Sequence, residues 1–152
     1  MKHLFFTCAL ICSFFSVKAQ EFDTYFTDAT LRIDYIFSGN ADQQIIAVDQ
    51  LSLSDKWWGR RTNLNQVPVR GNGEIRVLEK QNDKILYRYA FSTLFQEWLT
   101  IPEAKITNKS FEATFLVPQP KQAADIEVLL YDVKGEVTAR FRHSYSPDDK
   151  LI

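Results

Sequence analysis

From Leu31 to Phe37 the chain alternates: Leu31, Ile33, Tyr35 and Phe37 share one parity, with Arg32 and Asp34 on the other. Successive side chains of a strand point to opposite faces, so this spacing predicts a half-buried β-strand, ended by a turn at Ser38-Gly39-Asn40. The run from Gln44 to Leu53 is apolar on both parities, which suits a central strand or one with a bulge between Val48 and Leu51. Glu74 to Glu79 and Lys84 to Phe91 read as two strands of a hairpin across the polar residues 80–83, with Ile75, Val77, Ile85, Tyr87, Tyr89 and Phe91 among the apolar members. Strand patterning returns at Ser110 to Val117 and is expected to stop at Pro118-Gln119-Pro120. It resumes as a second hairpin, Asp125 to Asp132 and Glu136 to Tyr145, about Val133-Lys134-Gly135.

Two stretches break the alternation. Residues 54–73 contain Asp55, Gly59, Asn63, Asn65, Pro68, Gly71, Asn72 and Gly73 yet also Trp57 and Trp58, so a long surface loop pinned by aromatic anchors is expected. From Ser92 the apolar spacing becomes Leu94, Phe95, Trp98, Leu99. That rhythm predicts a short helical insertion within 92–101, with Ser92 as N-cap and Pro102 limiting its extent. About seven strands, turn signals at intervals of roughly 8 to 12 residues and no βαβ rhythm together predict an all-β fold, an antiparallel β-sandwich.

The first nineteen residues change the picture of the ends. Lys2 precedes an apolar run from Leu4 to Val17, and Val17-x-Ala19 supplies small exit positions, the pattern of a secretory signal peptide. The run has 14 residues, short of the roughly 20 that a membrane-spanning helix needs. The expected organisation is a signal peptide over 1–19, one β-sandwich domain over 20–146, and the start of a linker over 147–152. The product is expected to be exported, to the periplasm, the cell surface or the medium, with no transmembrane segment in the mature chain. Both cysteines, Cys8 and Cys12, fall in the signal, so the mature domain is held by packing without disulfides. The net charge of −1 falls to −3 when Lys2 and Lys18 leave with the signal, which argues against a nucleic-acid partner.

Catalytic chemistry has little to build on. A zinc hydrolase site requires clustered ligands such as H-E-x-x-H, whereas the only histidines are His3, in the signal, and His143, which alternates with Phe141 and Tyr145 on a predicted strand. Ser92 and Ser110 sit in no G-x-S-x-G context. Asp34, Asp49, Glu97 and Glu103 are scattered over different elements, and Gly71-Asn72-Gly73 lacks the third glycine and helix of a phosphate cradle. No catalytic residue, metal ligand or cofactor is therefore assigned.

Recognition has more. Trp57-Trp58-Gly59-Arg60-Arg61 joins the two residue types most enriched at interaction hot spots. Three readings are open: indoles that plug the end of the sandwich, a docking surface for another domain, or a platform on which sugar rings stack. The block Phe91-Ser-Thr-Leu-Phe-Gln-Glu-Trp98 suits packing against the sheet, with Glu97 expected to pair with Arg60 or Arg61 and order the loop. The candidate interaction surface is thus Trp57, Trp58, Arg60, Arg61, Glu97 and Trp98.

These two blocks, with Thr30-Leu-Arg-Ile-Asp-Tyr35, Ser38-Gly-Asn40, Phe111-Glu112, Val117-Pro-Gln-Pro-Lys121 and Pro147-Asp-Asp149, resemble the N-terminal, non-catalytic domain of secreted M64 (IgA-peptidase-like) metallopeptidases of Bacteroides-type bacteria. The resemblance implies a β-sandwich accessory or pro-region preceding a zinc peptidase domain. None of that family's catalytic motif falls on a position of this chain. The expected function is non-enzymatic docking against an M64-like catalytic domain, in cis or in trans, or against another exported protein. The alternative is a carbohydrate-binding or adhesion module.

Overall fold

A computed structural model describes residues 20–149; the expected signal peptide over 1–19 and the chain beyond Asp149 lie outside them. Seven strands form two antiparallel sheets. The first sheet has the order β2-β1-β5, from β1 (Phe26–Gly39), β2 (Gln44–Ser54) and β5 (Lys109–Pro120). The second has the order β4-β3-β6-β7, from β3 (Gly73–Glu79), β4 (Ile85–Phe91), β6 (Ala124–Tyr131) and β7 (Val137–Tyr145). The antiparallel β-sandwich read from the alternation is the fold observed.

Alternation decides what lies between the sheets. Leu31, Ile33, Tyr35 and Phe37 of β1 are buried, as are Phe115 and Val117 of β5, and they face Ile75, Val77, Ile126, Val128 and Leu130 of the second sheet. Each such side chain removed from water contributes about 1.5–3 kcal/mol. The middle of the core is aromatic: Tyr35 meets Phe115, Phe141 and His143 edge-on, and Phe37 stacks on Phe91 and Phe95. His143 and the Tyr35 hydroxyl lie 2.6 Å apart. Burial holds the His143 pKa below its ordinary value and pushes that of Tyr35 up. This histidine is half-buried at the edge of the core and has a partner.

Several expectations are refined. β2 is an edge strand, not a central one, and its mixed apolar pattern comes from the bulge: Asp34 pairs with Gln50 and Tyr35 with Val48, leaving Asp49 over. β5 does not stop at Pro118 but runs through both prolines to Pro120, because an edge strand tolerates a missing N–H on its unpaired side. A short helix α1 (Gln20–Tyr25), not foreseen, closes one end by packing Phe22 on Phe26 at 5.5 Å. The helical insertion is α2 (Leu94–Trp98), capped not by Ser92 but by Thr93, whose Oγ1 accepts the Gln96 N–H at 3.2 Å. Pro102 opens a further 3₁₀ turn, Pro102–Lys105, where its fixed φ and missing N–H cost nothing.

Candidate functional site

The loop over residues 55–72 starts where β2 ends, and two bonds to β1 set its path. Thr30 Oγ1 donates to the Lys56 carbonyl at 2.7 Å, and the Trp57 N–H donates to the Asp28 carbonyl at 3.0 Å. Thus fixed, consecutive tryptophans point opposite ways. Trp57 is buried edge-on against Tyr87 with its Nε1–H on the Arg60 carbonyl at 3.1 Å, while Trp58 is 82% exposed. Gly59 is required for this turn, since a Cβ there would lie 2.1 Å from the Trp57 ring.

The two arginines are structural. Arg60 donates to the carbonyls of Gln66 (2.7 Å), Leu64 (2.9 Å) and Arg88, and its guanidinium lies over the Tyr87 ring. The Arg88 N–H in turn donates to the Leu64 carbonyl at 3.0 Å, so the loop is laced along the edge of β4. Arg61 is paired with Asp28 and lies over Phe22, tying α1 to the loop.

Trp58 stands beside a shallow groove of about 590 Å³ at the edge of the three-stranded sheet, lined by Thr30, Arg32, Ser52, Leu53 and Leu116. Leu53 and Leu116 are 44% and 49% exposed. Lys56 Nζ lies 4.3 Å from the centre of the Trp58 ring, a cation–π contact that orients the indole. Arg32 is held by Asp34 and reaches Thr114.

Glu97 and Trp98 lie elsewhere. Trp57 is anchored opposite Asp28, whereas Trp98 packs on Phe111, the partner of Phe37. Nine residues of β1 separate these points, about 30 Å at the rise of a strand. Glu97 is exposed, and the expected pair with Arg60 or Arg61 does not form, because those guanidinia are occupied at the other end. The acid that matters near Trp98 is Glu103, which accepts from Trp98 Nε1 at 2.9 Å and Lys109 Nζ at 2.7 Å. Those two donors hold its carboxyl below the usual range. The six candidates therefore divide: Trp58 is on a free surface, Trp57, Arg60 and Arg61 build the loop that presents it, and Glu97 and Trp98 belong to the opposite end.

Gln96, not among the expected site residues, also has a structural role. Its buried amide donates to the carbonyls of Asn72 and Tyr131 (3.1 Å), joining α2 to the second sheet. Among the described residues no three of His, Cys, Asp and Glu gather closely enough to hold a metal ion, and no helix is long and apolar enough to cross a membrane.

Comparison with known families agrees with this architecture: the model for the peptidase M64 N-terminus matches residues 21–142, from α1 into β7. The chain belongs to the peptidase M64 N-terminus family. No curated protein matches it significantly. The match supports reading this M64 N-terminal domain as an accessory domain of M64 peptidases.

Proposed function

We propose that this M64 N-terminal domain is an exported, non-enzymatic accessory or pro-region that docks against an M64-like zinc peptidase domain, in cis or in trans, through the groove beside Trp58. The carrying observation is the asymmetry of the tryptophan pair: the loop buries Trp57 and uses it, with Arg60, to hold Trp58 out beside a groove that Leu53 and Leu116 help to line. An exposed indole beside two half-exposed leucines, rimmed by serine and arginine, has the composition of an interface hot spot. Position supports the same reading. Gln119 Nε2 donates to the Tyr145 hydroxyl at 3.0 Å, so β7 ends at the same end of the sandwich as the loop that carries Trp58.

The test is titration of the chain with the separately produced catalytic domain of an M64 peptidase. Saturable binding that Trp58→Ala abolishes and Glu97→Gln leaves intact is the expected result; equal binding by Trp58→Ala would defeat the proposal. A second reading, carbohydrate recognition, is favoured by Trp58 alone, since an exposed indole flanked by the polar groups of Ser52, Ser54 and Arg32 also suits a sugar face. Trp58-dependent quenching of tryptophan emission by soluble bacterial or host glycans, without any effect of the catalytic domain, would select it.

A further inference from the structure

A two-sheet sandwich has four edge strands, and three of these are covered, bulged or charged. β4 is covered by the loop through Arg60 and Leu64, and Gly71 presses so closely on it that a Cβ would lie 2.0 Å from the Phe91 carbonyl oxygen. β2 is bulged at Asp49 and lies beside β7, where Thr138 Oγ1 donates to Gln44 Oε1 at 2.9 Å. β7 carries Arg140 and Arg142, and bulges and charge are the usual protection of edges. β5 differs: between Ser110 and Val117 it has neither proline nor lysine nor a register shift.

The backbone of that stretch is aimed outward at alternate residues. Pro118 and Pro120 continue the strand, and in a strand paired on one side only a proline fits where its missing N–H would face away from the partner. Glu112, Thr114 and Leu116 share that parity, and the Tyr89 hydroxyl is turned to the Leu116 backbone. Glu112 and Thr114 have no backbone partner beyond the sheet among the described residues. Beside them opens a groove of about 310 Å³ with walls of Phe37, Tyr89, Phe91, Phe95, Phe111 and Phe115. Its gap comes from Ala113, the small residue between Phe111 and Phe115 on the core-facing side. Leu94, 71% exposed, stands at the lip.

We propose that the β5 edge is a second binding site, distinct from the Trp58 groove, which captures an extended segment of another polypeptide by antiparallel strand addition. The residues opposite Glu112 and Thr114 exchange backbone hydrogen bonds with them, and the residue between, opposite Ala113, drops a large apolar side chain into the aromatic groove. The outer face fixes the polarity of the ligand. Among the described residues Glu112 has no cationic partner, and Asp34, the next acid on that face, is already held by Arg32. The segment therefore places lysine or arginine opposite Glu112, and the motif captured reads, from its N-terminus, polar–large apolar–basic.

The experiment is fluorescence-anisotropy titration of the full chain with a labelled peptide, Ser-Val-Thr-Phe-Lys-Val-Ser, acetylated and amidated at its ends. Saturable binding is expected, weakened about tenfold or more by N-methylation of the Thr and Lys backbone nitrogens, which deletes the two donors facing β5. Glu112→Lys is expected to weaken it through like charge, and Ala113→Phe to abolish it by filling the groove from within. Trp58→Ala is expected to leave it unchanged. Absence of saturable binding, or equal affinity for the N-methylated peptide, would overturn the proposal, and the peptide modification does so without depending on any variant folding.

Discussion

Trp57 and Trp58 are adjacent in sequence and opposite in role, and substitution separates them. Trp57 is 6% exposed, packed on Tyr87 and bonded to the Arg60 carbonyl. Its replacement by alanine removes a buried indole and leaves a cavity, a change that costs about 3–5 kcal/mol. In a domain of this size that lowers the unfolding midpoint by on the order of 10 °C or more. Trp58→Ala deletes a side chain already in water and its contact with Lys56, so stability shifts by no more than about 1 kcal/mol. Gly59→Ala reaches the same end as Trp57→Ala by another route: its Cβ would sit 2.1 Å from the indole, and relieving that overlap expels Trp57. Thermal and urea unfolding of the three variants, with tryptophan emission recorded, checks the reasoning. The expected order of stability is wild type and Trp58→Ala together, then the other two well below, with a red-shifted emission in folded Gly59→Ala. A Gly59→Ala protein as stable as wild type with unshifted emission, or a Trp58→Ala protein as unstable as Trp57→Ala, would refute it.

Three further outcomes follow from the same structure. Because burial depresses the His143 pKa, the unfolded chain takes up its proton first; the stability this histidine contributes is complete above about pH 6.5 and is lost as pH falls below it. Urea midpoints measured between pH 7 and pH 5 should therefore fall more steeply for wild type than for His143→Gln. Gln96→Leu leaves the carbonyls of Asn72 and Tyr131 without their amide donor, costing about 1–3 kcal/mol by urea unfolding; an unchanged midpoint would show that α2 is held by Phe95 and Trp98 alone. Arg60→Lys cannot reproduce a planar fork over three carbonyls, so hydrogen exchange should accelerate at the Arg88 amide and through residues 60–66 while the β1 core stays protected.

The strands were legible because each satisfies period-two burial by itself: Leu31 to Phe37 and Ile75 to Val77 need no knowledge of the rest of the chain. What eluded reading was set by neighbours. Whether Gln44–Ser54 is central or edge depends on what pairs with it, and a bulge and a central strand leave the same mixed pattern; the structure makes it a bulged edge. Pro118 and Pro120 break a paired strand but not the open side of β5, and openness is a tertiary property. At the candidate site, Trp57 and Trp58 were singled out by composition, and their opposite exposures follow from how Asp28 and Thr30 fix the loop. Glu97 was placed with the arginines because they are charged, whereas Arg60 is consumed by carbonyls, which sequence does not display. Gln96 carried no signal beyond a polar residue amid aromatics, and its burial is visible only once Asn72 and Tyr131 converge on it.

The central claim is that the groove beside Trp58 meets an M64 catalytic domain, and site-directed photo-cross-linking tests it most directly. Benzoylphenylalanine is introduced at Ser52, on the wall of the groove, or at Val133, exposed in the β6–β7 turn at the other end of the sandwich. Each protein is irradiated with the catalytic domain of an M64 peptidase. A cross-linked product is expected from position 52, lost on adding Trp58→Ala, and none from position 133. Cross-linking from position 133 alone, or from neither position, would contradict it.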